Sequence, residues 1–321
     1  MRALALLLSH YDFFSLSEKY LILEQAKDIQ TFLKMRPIEI ASLIKRDFKI
    51  DKLNFQSIEK RLEKTIALMR AYSIGLVFYD EEAYPPLLKE IHDPPFALFY
   101  RGEASLLHSL CLGIVGTRRP TGRGMKASFD IAKSLAENAL TIVSGLARGI
   151  DGYAHKGALE AKDGKTIAVL ASGLDSIYPS DHKRLALQML EKGSLLLSEH
   201  PPLTPALTWH FPKRNRIIAG LSEGVLVVEA PRGSGSLITA SCAIEENREL
   251  FFHELALQYS FQKLALSASD KRKLQKKWAV QNYIDDGALL ISSAKDIIQH
   301  LSEGSIKNTS LLFSQYKLDL N

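Results

Sequence analysis

The stretch GIVGTRRPTGRG, residues 113–124, brings glycines and basic side chains together between a strand-like and a helix-like segment. Backbone N–H groups at the start of a helix attract phosphate groups. No acidic residue stands between Gly113 and Lys126 to offset the positive charge. We therefore predict an anion-binding loop that consists of Gly116, Thr117, Arg118, Arg119 and Arg123.

Three later stretches carry the same kinds of group. The candidate residues are Ser144, Gly145 and Arg148 in SGLARGID (144–151), Lys213, Arg214, Asn215 and Arg216 in FPKRNR (211–216), and Gly235 and Ser236 behind Arg232 in PRGSGSLITA (231–240). If each stretch follows a strand of one parallel sheet, their charges and backbone donors converge on a single groove. Several separated phosphate sites suit an extended phosphate backbone better than one nucleotide cofactor. No cofactor is therefore expected.

The two standard nucleotide-binding loops do not fit this pattern. The dinucleotide fingerprint requires G-x-G-x-x-G and an acidic residue at the end of the second strand. Here the first glycines are Gly113 and Gly116, and the second strand ends in IVSGLARG without an acid. A P-loop requires Gly-Lys-Ser/Thr, whereas Gly122 is followed by Arg123.

Catalysis is a weaker interpretation of the same residues. Asp151 and His155 are one helical turn apart, and with Ser144 they could form a hydrolase triad. However, an acid at the start of a helix usually caps free N–H groups, and the G-x-S-x-G turn of serine hydrolases does not occur here. We expect Asp151 to be a helix cap and predict no catalytic residue.

A metal site is not expected either. The histidines show no metal-ligand spacing with one another or with the cysteines. The histidines considered for this role are His10, His92, His108, His200, His210, His253 and His300.

The elements that must position these groups alternate between strand and helix from residue 111 to about 252. The apolar runs CLGIVG, TIVSG, TIAVLA, SLLLSE and GVLVVEA are separated by amphipathic segments. Continuous hydrophobicity indicates strands covered on both faces, and regular alternation with helices indicates right-handed βαβ units. The sequence thus predicts an α/β fold with a doubly wound parallel sheet, which binds ligands at the carboxyl ends of its strands.

Four regions are predicted along the chain. Residues 1–72 form a helical N-terminal domain, because SIEKRLEKTIALMRAY, for example, places its apolar residues on one helical face. The prolines of residues 73–110 indicate a connecting module built on turns. Residues 111–300 form the α/β core that carries the anion-binding groove, and residues 301–321 are a polar tail.

Composition places few further limits on function. The chain of 321 residues carries 41 Lys and Arg against 36 Asp and Glu, and a net charge of +5 permits an anionic partner without requiring one. Cys111 and Cys242 lie far apart in apolar surroundings and are interpreted as reduced core residues. No segment has the roughly 20 apolar residues of a membrane span, and the apolar run near the N-terminus is too short for a secretion signal. We expect a cytoplasmic protein with no membrane partner.

The quoted stretches resemble the DprA/Smf family of bacterial DNA-processing proteins. Together with GKTIAVLASGLDSIYP and YPPLLKEIHDPPFALFYRG, they match the family in order from residue 84 to 250. The resemblance implies a Rossmann-like core preceded by a small all-α (SAM-like) domain. It further implies binding of single-stranded DNA without strong sequence preference, and pairing of the chain as a homodimer. It also implies a partnership with the recombinase RecA, which is loaded onto incoming strands in natural transformation.

The resemblance also assigns roles to single residues. Arg118 matches the family's loop arginine that contacts DNA phosphates, and the other candidate residues match the family's glycine-rich and basic motifs. Two stretches depart from the family pattern. In YPSDH, His182 stands where the family has asparagine. In HELALQYSFQKL, residues 253–264, the family's Pro-Gly turn is missing from a region that contributes to subunit pairing.

A rival interpretation is an enzyme on a related fold. The nucleotide phosphoribohydrolases carry a Pro-Gly-Gly-x-Gly-Thr-x-x-Glu loop, which PRGSGSLIT matches from Pro231 to Thr239. Thr239 stands at the glutamate position, and a hydroxyl does not stabilise an oxocarbenium charge as a carboxylate does. The DNA-binding interpretation is therefore preferred.

Overall fold

The computed structural model describes residues 1–47, 58–231, 233–260 and 280–308. Arg232, the basic stretch SASDKRKLQKKW (267–278), the end of the departing stretch 253–264, and residues 309–321 of the predicted tail lie outside the described residues.

The N-terminal region is helical, as its apolar periodicity indicates. Its helices are α1 (Arg2–Leu8), α2 (Leu16–Ala26), α3 (Ile29–Lys34), α4 (Pro37–Ile44) and α5 (Ile58–Ala71). Ser15 and Glu18 form a capping box at the start of α2, and Asp28 caps α3 by accepting from the Thr31 N–H at 2.8 Å. Buried side chains of these helices, such as Leu7 and Phe32, belong to one apolar cluster that also contains residues of the central sheet.

The described residues form a sheet of nine strands. They are β1 (Gly75–Phe78), β2 (Ala97–Gly102), β3 (Cys111–Val115), β4 (Thr141–Ser144), β5 (Thr166–Val169), β6 (Leu195–Ser198), β7 (Gly224–Val227), β8 (Glu249–His253) and β9 (Leu289–Ile291). Their order is β1-β2-β6-β5-β4-β3-β7-β8-β9. Strands β3 to β9 pair in parallel, and the 73–110 region adds β1 and β2 as an antiparallel edge.

Helices cover both faces of the sheet. They are α6 (Pro86–Lys89), α7 (Gly122–Glu137), α8 (Ile150–Glu160), α9 (Lys183–Glu191), α10 (His210–Gly220), α11 (Gly235–Glu245), α12 (Glu254–Ser260), α13 (Val280–Asp285) and α14 (Ala294–Asn308). One face packs on α10 and α11 and the other on α7, α8 and α14. Strands β3 to β7 are buried along their whole length, as their continuous apolar runs indicate. The predicted doubly wound, Rossmann-like α/β fold is therefore confirmed.

Two details bear on the sequence predictions. Helix α14 runs to Asn308, past residue 301, where the sequence predicted the polar tail to begin. Among the described residues, no helix combines the length and the apolar character needed to cross a membrane.

The strand order reverses between β3 and β7. Successive strands after β3 add on one side up to β6, and the chain then returns to place β7 on the other side of β3. At such a switch point the connections leave in opposite directions and open a crevice at the carboxyl ends of the strands. The fold therefore places a ligand site at the ends of β3 and β7.

Helices α7 and α8 pack closely because α8 has a glycine at their contact. A Cβ atom on Gly157 would lie 2.1 Å from the carbonyl oxygen of Phe129, an atom that cannot move without its backbone. We expect Gly157→Ala to lower the free energy of unfolding by about 1–3 kcal/mol or more, as overpacking does. Urea unfolding measures this loss.

Gly122→Ala is the matched control. Gly122 is in the first turn of α7, with no atom within 4 Å of the position a Cβ would take. This change should leave stability unchanged or raise it by about 0.4–1 kcal/mol through the unfolded chain. Equal effects of the two substitutions would contradict the described packing of α7 on α8.

Candidate nucleic-acid interface

A cavity of about 540 Å³ opens at the switch point. The loop after β3, the loop after β4, the start of α10 and the start of α11 surround it. Its polar lining includes Thr117, Arg118, Asp151, Arg214, Asn215, Ser234, Ser236 and Thr239. Four stretches that the sequence singled out thus do contribute to one site.

Arg118 stands at the mouth of the cavity. Its side chain is exposed, and its guanidinium carbon lies 5.4 Å from the centre of the Phe211 ring. The Phe211 ring in turn lies edge-on to Tyr178, with 5.5 Å between ring centres. Within the described part of the chain Arg118 forms no ion pair. A cation and two aromatic rings therefore share one accessible edge of the cavity.

The backbone of the loop is fixed beneath this edge. Thr117 donates its N–H to the Glu229 carbonyl at 2.7 Å and accepts from the Ile150 N–H at 3.2 Å. Its hydroxyl oxygen accepts from the Arg119 N–H at 3.2 Å. Arg119 and Arg123 are exposed. The loop is therefore rigid in its backbone and presents its basic side chains outwards.

Glu229 is a residue that the sequence analysis missed. Its buried carboxylate accepts from the Thr121 N–H at 2.9 Å and from the Thr121 hydroxyl at 2.5 Å, at the start of α7. A Cβ on Gly124 would lie 2.3 Å from the carboxylate carbon, so the first turn of α7 packs directly on this group. A buried carboxylate beside the cap residue Thr121 opposes a second anion at this helix start, and the binding of a phosphate here stays a prediction. An acid directly after the apolar strand VLVV was the signal available in the sequence.

The start of α11 is different. Ser234 occupies the cap position without a side-chain cap, and its hydroxyl pairs with that of Ser236. Both line the cavity together with Gly235, which has no atom within 4 Å of the position a Cβ would take. Helix starts attract anions through their N–H groups. This end of the cavity is therefore suited to an anion.

Arg214 lies at the base of the cavity, and its guanidinium is hydrogen-bonded within the fold. The side chain is buried, donates to the carbonyl oxygen of Gly145 at 2.7 Å and also to that of Val169. Its Nε donates to the Asn215 side-chain oxygen at 3.0 Å. Burial lowers the pKa of Arg214 to about 10, so the guanidinium stays charged at neutral pH. It therefore contributes a positive potential from below while it braces the ends of β4 and β5.

The possible triad is not assembled. The Ser144 hydroxyl donates to the Ile114 carbonyl at 2.6 Å, and His155 pairs with the Leu146 N–H and the Thr166 hydroxyl. Burial lowers the pKa of His155 to about 3. Each of these polar groups is engaged in the packing of the loop after β4.

The sequence predicted that Asp151 caps its own helix, and this prediction is wrong. Gly149, with φ of +81°, occupies the cap position of α8. The Asp151 carboxylate instead accepts from the Gly145 N–H at 3.1 Å and the Ala147 N–H at 3.4 Å. It shapes the preceding loop, and burial raises its pKa.

Three of the predicted cations are neutralised elsewhere. Arg216 binds Glu199 at 2.7 Å, and Lys213 lies 3.4 Å from the same carboxylate, away from the cavity. Arg148 pairs with Asp181 at 2.9 Å. The expectation that all the basic residues converge on one groove is therefore wrong for Lys213 and Arg216, which α10 turns to its other side.

The comparison with known proteins identifies the family. The family model of DNA recombination-mediator protein A matches residues 75–302 of the chain. The chain belongs to this family. The predicted membership of the DprA/Smf group is thus confirmed.

Curated relatives include two DprA proteins and Protein Smf. The chain is 42% identical to the DNA processing protein DprA of Bacillus subtilis over 250 residues, 78% of each chain. It is 40% identical to that of Streptococcus pneumoniae over 244 residues, which is 76% of this chain and 78% of the relative. It is 48% identical to Protein Smf of Escherichia coli over 192 residues, 60% of this chain and 51% of the relative. The chain thus spans about half of the Escherichia coli protein.

Two solved structures of family members are similar to this chain. The X-ray structure of DNA processing protein A from Streptococcus pneumoniae has a TM-score of 0.65 and 33% identity, and the match covers 92% of this chain and 95% of that one. The protein from Helicobacter pylori has a TM-score of 0.57 and 29% identity, with 73% and 97% covered. The latter is described with a unique single-stranded DNA binding mode.

The pairing of Glu199 with Arg216 and Lys213 predicts that the stability of this family member depends on pH. Burial would raise the pKa of Glu199, but Arg216 and Lys213 hold it at about 2, below the ordinary 4.5. The stabilisation by the ionised carboxylate is therefore complete above the ordinary pKa and is lost as the pH falls through 4.5 toward 2. The wild-type chain should lose about 2 kcal/mol more than Glu199→Gln between about pH 5 and about pH 3.

Urea unfolding at a series of pH values tests this expectation. Asp130→Asn is the control, because Asp130 forms an exposed ion pair with Lys126 and such pairs contribute little. If Glu199→Gln lost stability with falling pH as steeply as the wild type, the pairing of Glu199 would not be the cause of the acid sensitivity.

Proposed function

We propose that this protein binds single-stranded DNA across the cavity at the switch point, protects incoming DNA and loads RecA onto it in natural transformation. The observation that carries the proposal is the position of Arg118. Its guanidinium is exposed at the cavity mouth, beside Phe211 and without an ion pair in the described part of the chain. The family's DNA-processing role and the single-stranded DNA binding mode described for the Helicobacter pylori relative support it.

The shape of the site favours a single strand. Phe211 and Tyr178 offer ring faces and edges next to the Arg118 charge, and Tyr178 is 53% exposed. Unstacked bases pack on such aromatic rings, while phosphates bind the neighbouring cations and backbone N–H groups. Bases within a duplex are stacked and cannot make these contacts. Phosphate contacts carry no base specificity, so little sequence preference is expected.

The predicted DNA-binding residues divide by their surroundings. Direct contact with DNA is proposed for Gly116, Thr117, Arg118, Arg119, Arg123, Gly235 and Ser236, which lie in the loop after β3, in the first turn of α7 or at the start of α11. Ser144, Gly145, Arg214 and Asn215 are proposed to shape the site, since their polar groups are engaged within the fold. Arg148, Lys213 and Arg216 remain candidates for more distant contacts that would have to compete with their ion pairs.

The protein is proposed to act by binding rather than by catalysis, and without a cofactor. Ser144, Asp151 and His155 are engaged in separate hydrogen bonds within the fold. Thr239 lines the cavity at the position where a phosphoribohydrolase has its glutamate. A nucleotide-release assay on the purified protein tests this part, and release of the base from a nucleoside monophosphate would contradict it.

Binding itself is tested with a short labelled oligonucleotide, single- or double-stranded, over a series of salt concentrations. We expect tighter binding of the single strand at every salt concentration. Equal affinity for the duplex at moderate salt would contradict the proposed role.

Replacement of Arg118 gives a residue-level prediction. Arg118→Ala removes a charge-assisted interaction of about 1.5–3 kcal/mol, which corresponds to roughly ten- to hundredfold weaker binding. The slope of log K against log salt should flatten by about 0.7 for each phosphate of the single strand that the variant no longer neutralises. Because the side chain is exposed, the melting temperature should stay unchanged.

Two arginines serve as controls for this variant. Arg148→Ala should weaken binding less, because Asp181 already neutralises Arg148. Arg36→Ala removes an exposed arginine at the N-terminal cap of α4 that pairs with Glu39, and it should leave binding unchanged. An Arg118→Ala variant with a lowered melting temperature and full affinity would show that Arg118 is structural.

Assembly and the partnership with RecA complete the proposal. We expect light scattering to report a dimer of about twice 35.8 kDa at micromolar concentration. A strict monomer that still binds DNA would mean that the departing stretch 253–264 abolishes pairing without affecting the cavity. RecA loading is measured as RecA ATPase on DNA already coated by a single-strand-binding protein. No stimulation by this chain would contradict that step.

A further inference from the structure

Three side chains from distant parts of the sequence meet outside the cavity. Asp12 lies in the turn between α1 and α2, His200 follows β6, and His210 begins α10. One possible ligand atom from each residue lies within 4.8 Å of the other two. None of the three lines the cavity proposed for DNA. Their distance along the chain is why the sequence spacing predicted no metal site.

His200 has an unexplained environment. The residue is fully buried, yet within the described part of the chain neither ring nitrogen has a hydrogen-bond partner. A buried polar group without a partner destabilises the fold, and such groups are rare in folded proteins. Its ring instead stacks on His210, with 4.0 Å between ring centres. An additional ligand for His200 would remove this cost.

His210 is held in the tautomer that a metal ligand needs. Its Nδ1 lies 3.2 Å from the Ala171 carbonyl oxygen, which can only accept a hydrogen bond. The proton therefore sits on Nδ1, and Nε2 keeps a free lone pair. Metal-binding histidines usually donate their second ring N–H to a carbonyl or carboxylate in this way.

We propose that Asp12, His200 and His210 bind one divalent transition-metal ion of the zinc class. Two imidazoles and one carboxylate are a donor set that zinc accepts, with a fourth position left for solvent on the side of the exposed Asp12. Donors about 2.0–2.2 Å from one tetrahedral ion lie roughly 3.3–3.5 Å apart. The stacked rings must therefore tilt so that their lone pairs converge, and the three ligand atoms, which lie within 4.8 Å of one another, must move closer together.

The charges around the site are mixed. Lys213 opposes a cation beside His200 and Lys19 opposes one beside Asp12, whereas Glu199 favours it. Lys213 and Arg216 are themselves paired with the two acids Glu199 and Asp93, so these four charges balance. The ion would join the turn after α1 to the first residue of α10, and so would fasten the N-terminal helices to the core.

The test uses the full chain after dialysis against a chelator. Calorimetric titration with Zn²⁺ should give one ion per chain, and Co²⁺ should produce visible absorption bands typical of tetrahedral nitrogen and oxygen ligands. Zn²⁺ should also raise the melting temperature, whereas Mg²⁺, which prefers oxygen ligands, should not. The absence of Zn²⁺ binding would overturn the proposal.

Variants separate this site from adventitious binding. Asp12→Asn should keep the fold because the Asp12 side chain is exposed. Loss of a residue that only hydrogen-bonds to a metal ligand already weakens metal binding by about tenfold or more. Loss of a ligand itself should therefore lower the affinity for Zn²⁺ by more than about tenfold. His200→Ala should abolish the Co²⁺ bands, with the melting temperature of the metal-free protein as a check of the fold. The control His108→Ala changes an exposed histidine elsewhere and should bind as the wild type does. Unchanged binding in Asp12→Asn would overturn the assignment.

Discussion

The buried guanidinium of Arg214 needs hydrogen-bond acceptors. The groups of the fold that supply these acceptors determine the geometry of the cavity. Carbonyl oxygens at the ends of β4 and β5 accept from one nitrogen, and Asn215 accepts from another. A Cβ on Gly145 would lie 2.2 Å from this group, so only glycine allows the approach. Asp151 then holds the N–H of Gly145 from the other side. One buried charge thus fixes two strand ends, a loop and a helix, and leaves its positive potential directed at the ligand.

Two buried carboxylates decide which positive groups remain accessible to a ligand. Glu229 lies beside the cap residue of α7, and Glu199 pairs with Lys213 and Arg216. Without these acids an anion would find several competing positions along the carboxyl edge of the sheet. With them, the exposed charge of Arg118 and the uncapped start of α11 remain, and both line one cavity. Two such groups suit neighbouring parts of a chain of phosphates better than a single phosphate group.

The fold could be predicted from the sequence because each buried strand is a continuous apolar run, and the family because its motifs are ordered and specific. The groups that pair with Glu199 and Glu229 could not be predicted from the sequence, since this pairing depends on contacts between distant segments. Part of the error in FPKRNR was avoidable. Pro212 is typical of the first turn of a helix, and in a helix residues 213 and 216 share a face that residue 214 does not. Helical periodicity would have separated Lys213 and Arg216 from Arg214.

Different faces of helix α10 line two different cavities. Phe211, Arg214 and Asn215 face the cavity. Lys213 and Arg216 face a second, smaller cavity of about 170 Å³, whose other walls come from the N-terminal helices and Glu199. The position of the aromatic ring beside Arg118 therefore depends on contacts made on the opposite side of the same helix. Among the described residues, the N-terminal helices contribute none to the lining of the larger cavity, and it is the smaller cavity that they share with α10.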